Sequence, residues 1–452
     1  MDATTLRIAR YAREADYTRL APDAIHECRR RLVDSVACAA AASAEALCAG
    51  LRAFAARYSA VPAARLWGSG QPTSPEMAAF VNGTMLRYVD YSDTVLAKTN
   101  GHPSDMIGGL VAVGEAFGCD GASLVTAIVV AYEVYCSLCA SVPLQARGID
   151  QGTAAAAGTA VGAARLLDLS HMQIAQALSL TLASNLHLYN VRSGELSDWK
   201  GCGGPNGSRN GVFAALLARE GITGPSAAVE GKGGLFEVVG AFDWQVGSAA
   251  LPLITQTHLK LHPVCYHGQS AVDAALALRG HVSPDSIAAI EIETYDAAYR
   301  AMGSDPERWA PSNRETADHS LPYAVAAALK WGCLTADAYE DQHLRDAEIL
   351  SLMEKIRVCT SPEMTKAFPV HAQTRITLRM HDGTVHTHLQ DNPKGNAANP
   401  LSDDELEVKF VHSFAPWGDA AEARRTLDVL WSVDRLPRVA DLVDALCHSR
   451  LA

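Results

Sequence analysis

Aromatic side chains are scarce in this 452-residue chain, at 6%. Sandwiches and barrels lean on aromatic and β-branched residues. Their scarcity, beside abundant alanine, points instead to close-packed helices. Charged residues make up only 19% and hydrophobic residues 48%, which excludes extended disorder and allows a large core. There is no surplus of basic residues. The formal net charge of -12 argues against non-specific nucleic-acid binding. It leaves room for an anionic small molecule, whose partners would be a few local cations.

Several signatures are also missing. The most apolar stretch, Ser123 to Ala140, is interrupted by Glu133 and reads as a buried helix, so no membrane span is expected. The leading MDATTLRIARYARE starts acidic and lacks the apolar core of a signal peptide, so a cytoplasmic protein is expected. Eleven cysteines, an odd number scattered through helical stretches, do not make a disulfide framework and fit a reducing compartment. Cys136 and Cys139 have metal-like spacing, but no second pair or nearby histidine completes a site, so they are expected to line a buried helix. There is no P-loop order, no Rossmann fingerprint and no strict repeat.

What is present is helical periodicity punctuated by Gly and Pro. Helices are expected over 3–16, from Pro22 onward, and over 41–57, 76–89, 107–117, 121–140, 153–167, 171–185 and 207–220. The texture changes after about residue 265. In Ile287 to Tyr295, Ile290, Ile292 and Thr294 alternate with Glu291 and Glu293, the pattern of a half-exposed strand. Residues 373–380 and 384–389 flank His381-Asp382-Gly383 as a hairpin. Helices are expected near 318–331, 335–343 and 346–355. A capping box at Ser402 opens another, and helices near 419–432 and 437–450 close the chain. The expected architecture is mainly α. A large all-helical domain (1–265, returning at 396–452) carries an inserted smaller α+β lid domain (266–395), with a site in the cleft between them.

The densest group of ionisable residues is Arg87 to Asp105, RYVDYSDTVLAKTNGHPSD. If Asp90, Asp93 and Thr94 share one helical turn, they share a face. Asn100-Gly101 would break that helix, and Pro103 holds His102 on a stiff extended loop. A fixed imidazole facing carboxylates suits general acid/base work near neutral pH. Ser197 to Arg209 is Gly-rich and holds Lys200 and Arg209. It reads either as a carboxylate-binding loop at a helix N-terminus or as an ordinary connection. His258, His262 and His267 do not form a zinc pattern and are better read as a domain junction. Asp318 or Ser320 could cap the helix that follows, Tyr323 could offer a phenolic donor, and Asp150 could be an N-cap.

These motifs, taken in order, resemble the MmgE/PrpD family of 2-methylcitrate dehydratase-like enzymes. The matching stretches are DYSDTVLAKTNGHPSD, RGIDQGT, WKGCGGPNGSRNGVFAALLAREGITGP, KLHPVCYHGQSAVDAAL, ETADHSLPYAVAAAL and NPLSDDELEVKF. The resemblance implies a homodimer that binds di- or tricarboxylates without a metal or organic cofactor. It places the family's acid signature on Asp90, Asp93, Thr94, His102, Pro103 and Ser104. Its two lysines fall on Lys200 and Lys260, and its tyrosine on Tyr323. Decarboxylase-like and epimerase-like members tend to carry histidine where Asp150 stands. Together with His267 and Gln269, this favours water elimination over decarboxylation or epimerisation.

The expected mechanism has Lys200, Lys260 and Arg209 pairing with substrate carboxylates. Asp90 serves as a base with a raised pKa, His102 as the acid, and Tyr323 or Thr94 bonds the developing charge. The roles of Asp90 and His102 could be reversed. Alternatives are a decarboxylase or epimerase on the same scaffold, a metal-dependent hydratase, and a non-catalytic carboxylate-binding protein.

Overall fold

The computed structural model describes residues 1–448. The chain is mainly helical and builds two principal hydrophobic cores. The first draws on residues from Ile8 to Leu259 and takes up the chain again from Leu401 to Leu446. The second draws on Val264 to Met380.

Small residues explain how the first core packs. Helix Trp199–Arg219 lies against helix Gly152–Leu166 and helix Pro75–Tyr88. A Cβ at Gly207 would stand 2.2 Å from the Gly152 carbonyl oxygen, and one at Gly211 would stand 2.6 Å from that of Ala156. Glycine at these positions lets two backbones approach at interior density without aromatic filling. This overturns the expected 197–209 loop, because the helix begins at Trp199 and runs through the glycines and Pro205. Tertiary contact outweighs the poor helix propensity of glycine here. Helix Gly121–Ser141 is long and apolar enough to cross a membrane, but it is buried almost throughout. Its Glu133 carboxylate accepts the backbone N–H of Gly247 and of Leu253. Cys136 and Cys139 are buried on this helix.

The second core is built on a four-stranded sheet. Strand Ile356–Thr360 pairs in parallel with Ile287–Thr294, which pairs antiparallel with Thr374–Met380, and that strand with Val385–Gln390. The alternation seen in the sequence is realised: Ile290, Ile292 and Thr294 are buried, while Glu291 and Glu293 face outward. Gly383 turns the hairpin at φ 87. Helices Tyr266–Arg279 and Leu321–Trp331 pack together in this core, and the first of them covers the sheet.

Three expectations need correction. Strand Ile356–Thr360 was not anticipated, because its pattern is short and only half buried. The helix expected over 335–343 is two short turns, Ala336–Tyr339 and Asp341–Leu344. The segment 41–57 is broken: one helix ends at Ala42 and the next runs Ala46–Ala55. The last helix is Val439–Ala445, and the end of the expected 437–450 lies outside the described residues.

Candidate active site

Between the two cores lies a cavity of about 680 Å³. One wall is the irregular loop that follows helix Pro75–Tyr88. Asp90, Asp93 and Thr94 therefore do not share a helical turn, contrary to the expectation. The helix ends and Asp90 takes a left-handed backbone, φ 49. That conformation strains a non-glycine residue by about 1–2 kcal/mol. Three contacts hold it. The Asp90 Oδ1 atom accepts from Arg87 Nη1 at 2.5 Å and from Lys260 Nζ at 2.9 Å, and the same ammonium donates to the Asp90 carbonyl at 2.9 Å.

Lys260 arrives because the two segments pair as short extended chains. Thr94 and His258 exchange both backbone hydrogen bonds at 2.8 Å. Lys409, on the returning helix Asp403–Ser413, braces the same junction. Its ammonium pairs with Asp34 at 2.6 Å and donates to the carbonyls of Tyr91 and Lys260.

His102 lines the cavity beside Arg87. Its Nδ1 sits 2.8 Å from the Asp93 carbonyl, which can only accept, so the ring proton is on Nδ1. Its Nε2 then accepts from Arg87 Nη2 at 3.0 Å. Burial, together with the charges of Arg87 and Lys260, holds the His102 pKa well below the usual imidazole range. His102 is thus a neutral imidazole with a lone pair, not the acid expected from the sequence. The expectation for Asp90 is also overturned. Burial alone would raise its pKa, but Arg87, Lys260 and Lys200 hold it well below the usual carboxylate range.

The opposite wall supplies His319. Its Nδ1 donates to Asp318 Oδ1 at 2.5 Å, and Asp90 Oδ2 lies 3.7 Å away. Burial favours the neutral ring and Lys200 opposes the charge, but Cys265 and Asp318 prevail and raise the His319 pKa. Cys265 lines the cavity beside it; burial would raise that thiol, and His319 brings it below its ordinary value. The cavity therefore holds two histidines whose surroundings push them toward opposite protonation states.

The remaining expected residues divide between wall and support. Thr94 lines the cavity and donates to the Gly101 carbonyl at 3.0 Å. His267 lines it too, 2.8 Å from the Tyr295 hydroxyl, with its pKa lowered to about 4 by burial and by the His319 and Lys260 charges. Asp93 is buried below the wall, accepting from Tyr132 and from the Ser104 backbone, and so fixes the His102 loop. Ser104 contributes that N–H, and its hydroxyl is buried without a partner. Asp150 is buried and pairs with Arg192 at 2.9 Å, aiming that guanidinium at the cavity. Gln269 staples the junction by bonding His262 and Val264.

Three residues are misplaced by the sequence expectation. Lys200 is locked to Asp318 at 2.6 Å and to Glu315 at 3.0 Å, outside the cavity wall. Tyr323 donates to the Ala338 carbonyl at 2.5 Å inside the second core. Arg209 sits beside Asn206 and Asn210 on a different face, next to a separate groove.

Several lining residues were not anticipated as site residues: Arg87, Gln151, Arg192, Arg300, Arg308 and His319. Arg87, Gln151 and His319 did stand inside quoted motifs. Arg87 precedes Asp90 by three residues, the spacing of a helical ion pair, which was the available signal. Arg192 and Arg308 carry no local signal.

With Lys260, the wall brings together Arg87, Arg192, Arg300 and Arg308 against Asp90 and Asp305. The cavity is thus cationic inside a chain of net charge -12. Such a surface attracts and orients a small polyanion. Asp90, Asp318 and His319 could in principle bracket a metal ion, since their donor atoms lie within 4.8 Å of one another. Their carboxylates already serve Arg87, Lys260 and Lys200, so a further cation would meet three positive charges.

Residues 6–245 match the MmgE/PrpD N-terminal domain and residues 262–435 match the MmgE/PrpD C-terminal domain. A 2-methylcitrate dehydratase of Cupriavidus necator is 29% identical, over 90% of this chain and 90% of its own length. One of Escherichia coli strain K12 is 28% identical, over 92% of this chain and 90% of its own. An alkylcitrate dehydratase from a fungal species is 26% identical, over 81% of this chain and 78% of its own.

Proposed function

The chain belongs to the MmgE/PrpD family, and we propose that it is a dehydratase that removes water from a citrate-like polycarboxylate. The relatives named above as dehydratases support the reaction class. The observation that carries the mechanism is the pair of histidines. His102 is held neutral and His319 is pushed toward its protonated form in one cationic cavity. Groups whose surroundings drive their pKa values apart are suited to the roles of base and acid.

In this mechanism substrate carboxylates meet Arg87, Lys260 and Arg192. One of them competes for Arg87 and frees the Nε2 lone pair of His102. His102 takes the carbon-bound proton next to a carboxylate, and the cations stabilise the enolate-like charge. The carbon–oxygen bond breaks as the double bond forms. His319 gives its proton to the departing hydroxyl, so water leaves. His102 has gained one proton and His319 has lost one, and exchange with solvent restores both. Asp90 holds Arg87 and Lys260 in place rather than acting as the base. The sheet-bearing unit, which supplies His319, acts as a lid over the bound acid. The reaction runs on protein groups, so exhaustive chelation is expected to leave the rate unchanged.

The test is turnover of a panel containing 2-methylcitrate, citrate, cis-aconitate and iminodisuccinate, with product analysis. Loss of water from a hydroxylated member supports the assignment. Carbon dioxide release from cis-aconitate would make the protein a decarboxylase, and inversion of iminodisuccinate an epimerase. Binding throughout with no turnover would make it a carboxylate-binding protein.

A further inference from the structure

We propose that Arg308 is the receptor for an additional substrate carboxylate, so that the site selects a tricarboxylate over the corresponding dicarboxylates. The proposal rests on reading the cavity as a polycarboxylate site. Arg308 lies on the turn Pro306–Trp309, on the sheet-bearing side of the cavity, facing the wall that holds Asp90 and Lys260. It is 2% exposed, yet among the described residues its Nε and Nη1 have no hydrogen-bond partner.

The other arginines of the wall differ. Arg87 pairs with Asp90, Arg192 with Asp150, and Arg300 with Asp296. Neither nearby acid closes on it: Glu307 and Asp305 form no ion pair with Arg308, and Asp305 accepts from Ser304 and meets Arg308 only through backbone atoms. A buried guanidinium without a counter-ion is strongly unfavourable. Such a group is stable where an anion completes it.

The turn is held in place before any ligand arrives. The Arg308 backbone N–H donates to the Asp305 carbonyl at 3.0 Å, and the Ser320 hydroxyl donates to the Arg308 carbonyl. Trp309 Nε1 donates to the Gly303 carbonyl at 2.9 Å. These contacts fix the backbone that carries the side chain, and a planar guanidinium matches a carboxylate through two parallel hydrogen bonds. Arg308 lines the cavity on the wall that also carries His319, apart from the Arg87, Lys260 and Arg192 cations of the first wall. It can therefore read a carboxylate that those cations do not hold and spend that contact on orientation.

The experiment is calorimetric titration of the full chain with three unreactive acids: tricarballylate, and the dicarboxylates glutarate and methylsuccinate, each of which lacks one of its carboxylates. In Arg308→Gln, tricarballylate affinity is expected to fall roughly 10- to 100-fold, the worth of a charge-assisted hydrogen bond. Affinity for the dicarboxylate that lacks the contacted group is expected to stay the same. Arg308→Lys, which keeps the charge but not the fork, should recover part of the loss. A parallel melting experiment separates a structural role. Removing an unpaired buried charge is expected to leave the ligand-free melting temperature unchanged or raised, and to shrink the rise caused by tricarballylate. An equal affinity loss for all three acids, no loss for any, or a lowered ligand-free melting temperature would overturn the proposal. Failure of the wild type to bind any of the three would overturn the underlying cavity reading instead.

Discussion

The two walls of the cavity are built on different electrostatic terms. The wall from the first core arrives with its cations already paired: Arg87 and Lys260 close together on Asp90, Arg192 closes on Asp150, and Lys409 closes on Asp34 beneath them. The wall from the second core brings His319, already bonded to Asp318, and Arg308, bonded to no carboxylate among the described residues. A preassembled ion-pair network fixes geometry before substrate arrives, and an unmatched cation responds to substrate. One face therefore holds His102 and its cations steady, while the other adds His319 and a cation left for the substrate.

The largest expected effect falls on the histidines that face each other across this divide. His102→Asn and His319→Gln should each lower kcat by about 10²–10⁴-fold, measured by steady-state kinetics on protein shown by circular dichroism to be folded. Equal activity in either variant would remove that residue from the chemistry.

Asp90→Asn attacks the matched wall directly. It leaves Arg87 and Lys260 without their counter-ion, and breaking a buried pair typically costs about 3–5 kcal/mol, to be read from urea unfolding. A change under ~1 kcal/mol would mean that the first wall is not held by this network.

Lys200→Met sharpens the second wall. The Lys200 charge lowers the His319 pKa, so its removal should carry the alkaline limb of kcat to higher pH with little change in KM. A large rise in KM with an unmoved limb would restore Lys200 to substrate binding.

The smallest effect concerns Asp105, beneath the first wall. It accepts from Gln151 Nε2 at 2.9 Å, and burial pushes its pKa up to about 7 against the pull of Arg87. An acid whose pKa is raised on folding adds stability that is complete below the unfolded value, about 3.9. That stability is lost as pH rises through about 7. Asp105→Asn should flatten this part of the stability profile in melting experiments between pH 4 and 8.

Legibility from sequence followed the range of the interactions. The alternation in Ile287–Thr294 and the capping box at Ser402 are local, and both appear where the residues imply. Asp90, His102 and Lys260 stood out as dense, chemistry-bearing stretches and reach the cavity. Lys200 misled because its partner, Asp318, is 118 residues away, and no local pattern shows that its charge is already spent. The glycines after Trp199 look like a loop until the backbones of Gly152 and Ala156 press against them. Arg192 and Arg308 are single arginines in ordinary turns, and only the packing of one core against the other gives them a role.

The measurement closest to the central claim is a nitrogen-detected magnetic-resonance titration of the histidine side chains, with His102→Asn and His319→Gln used for assignment. Opposed environments predict that the His102 ring, with its proton on Nδ1, stays neutral to well below the ordinary imidazole value, while the His319 ring holds its charge to a pH above that value. Two rings titrating together near the ordinary imidazole value would contradict the account.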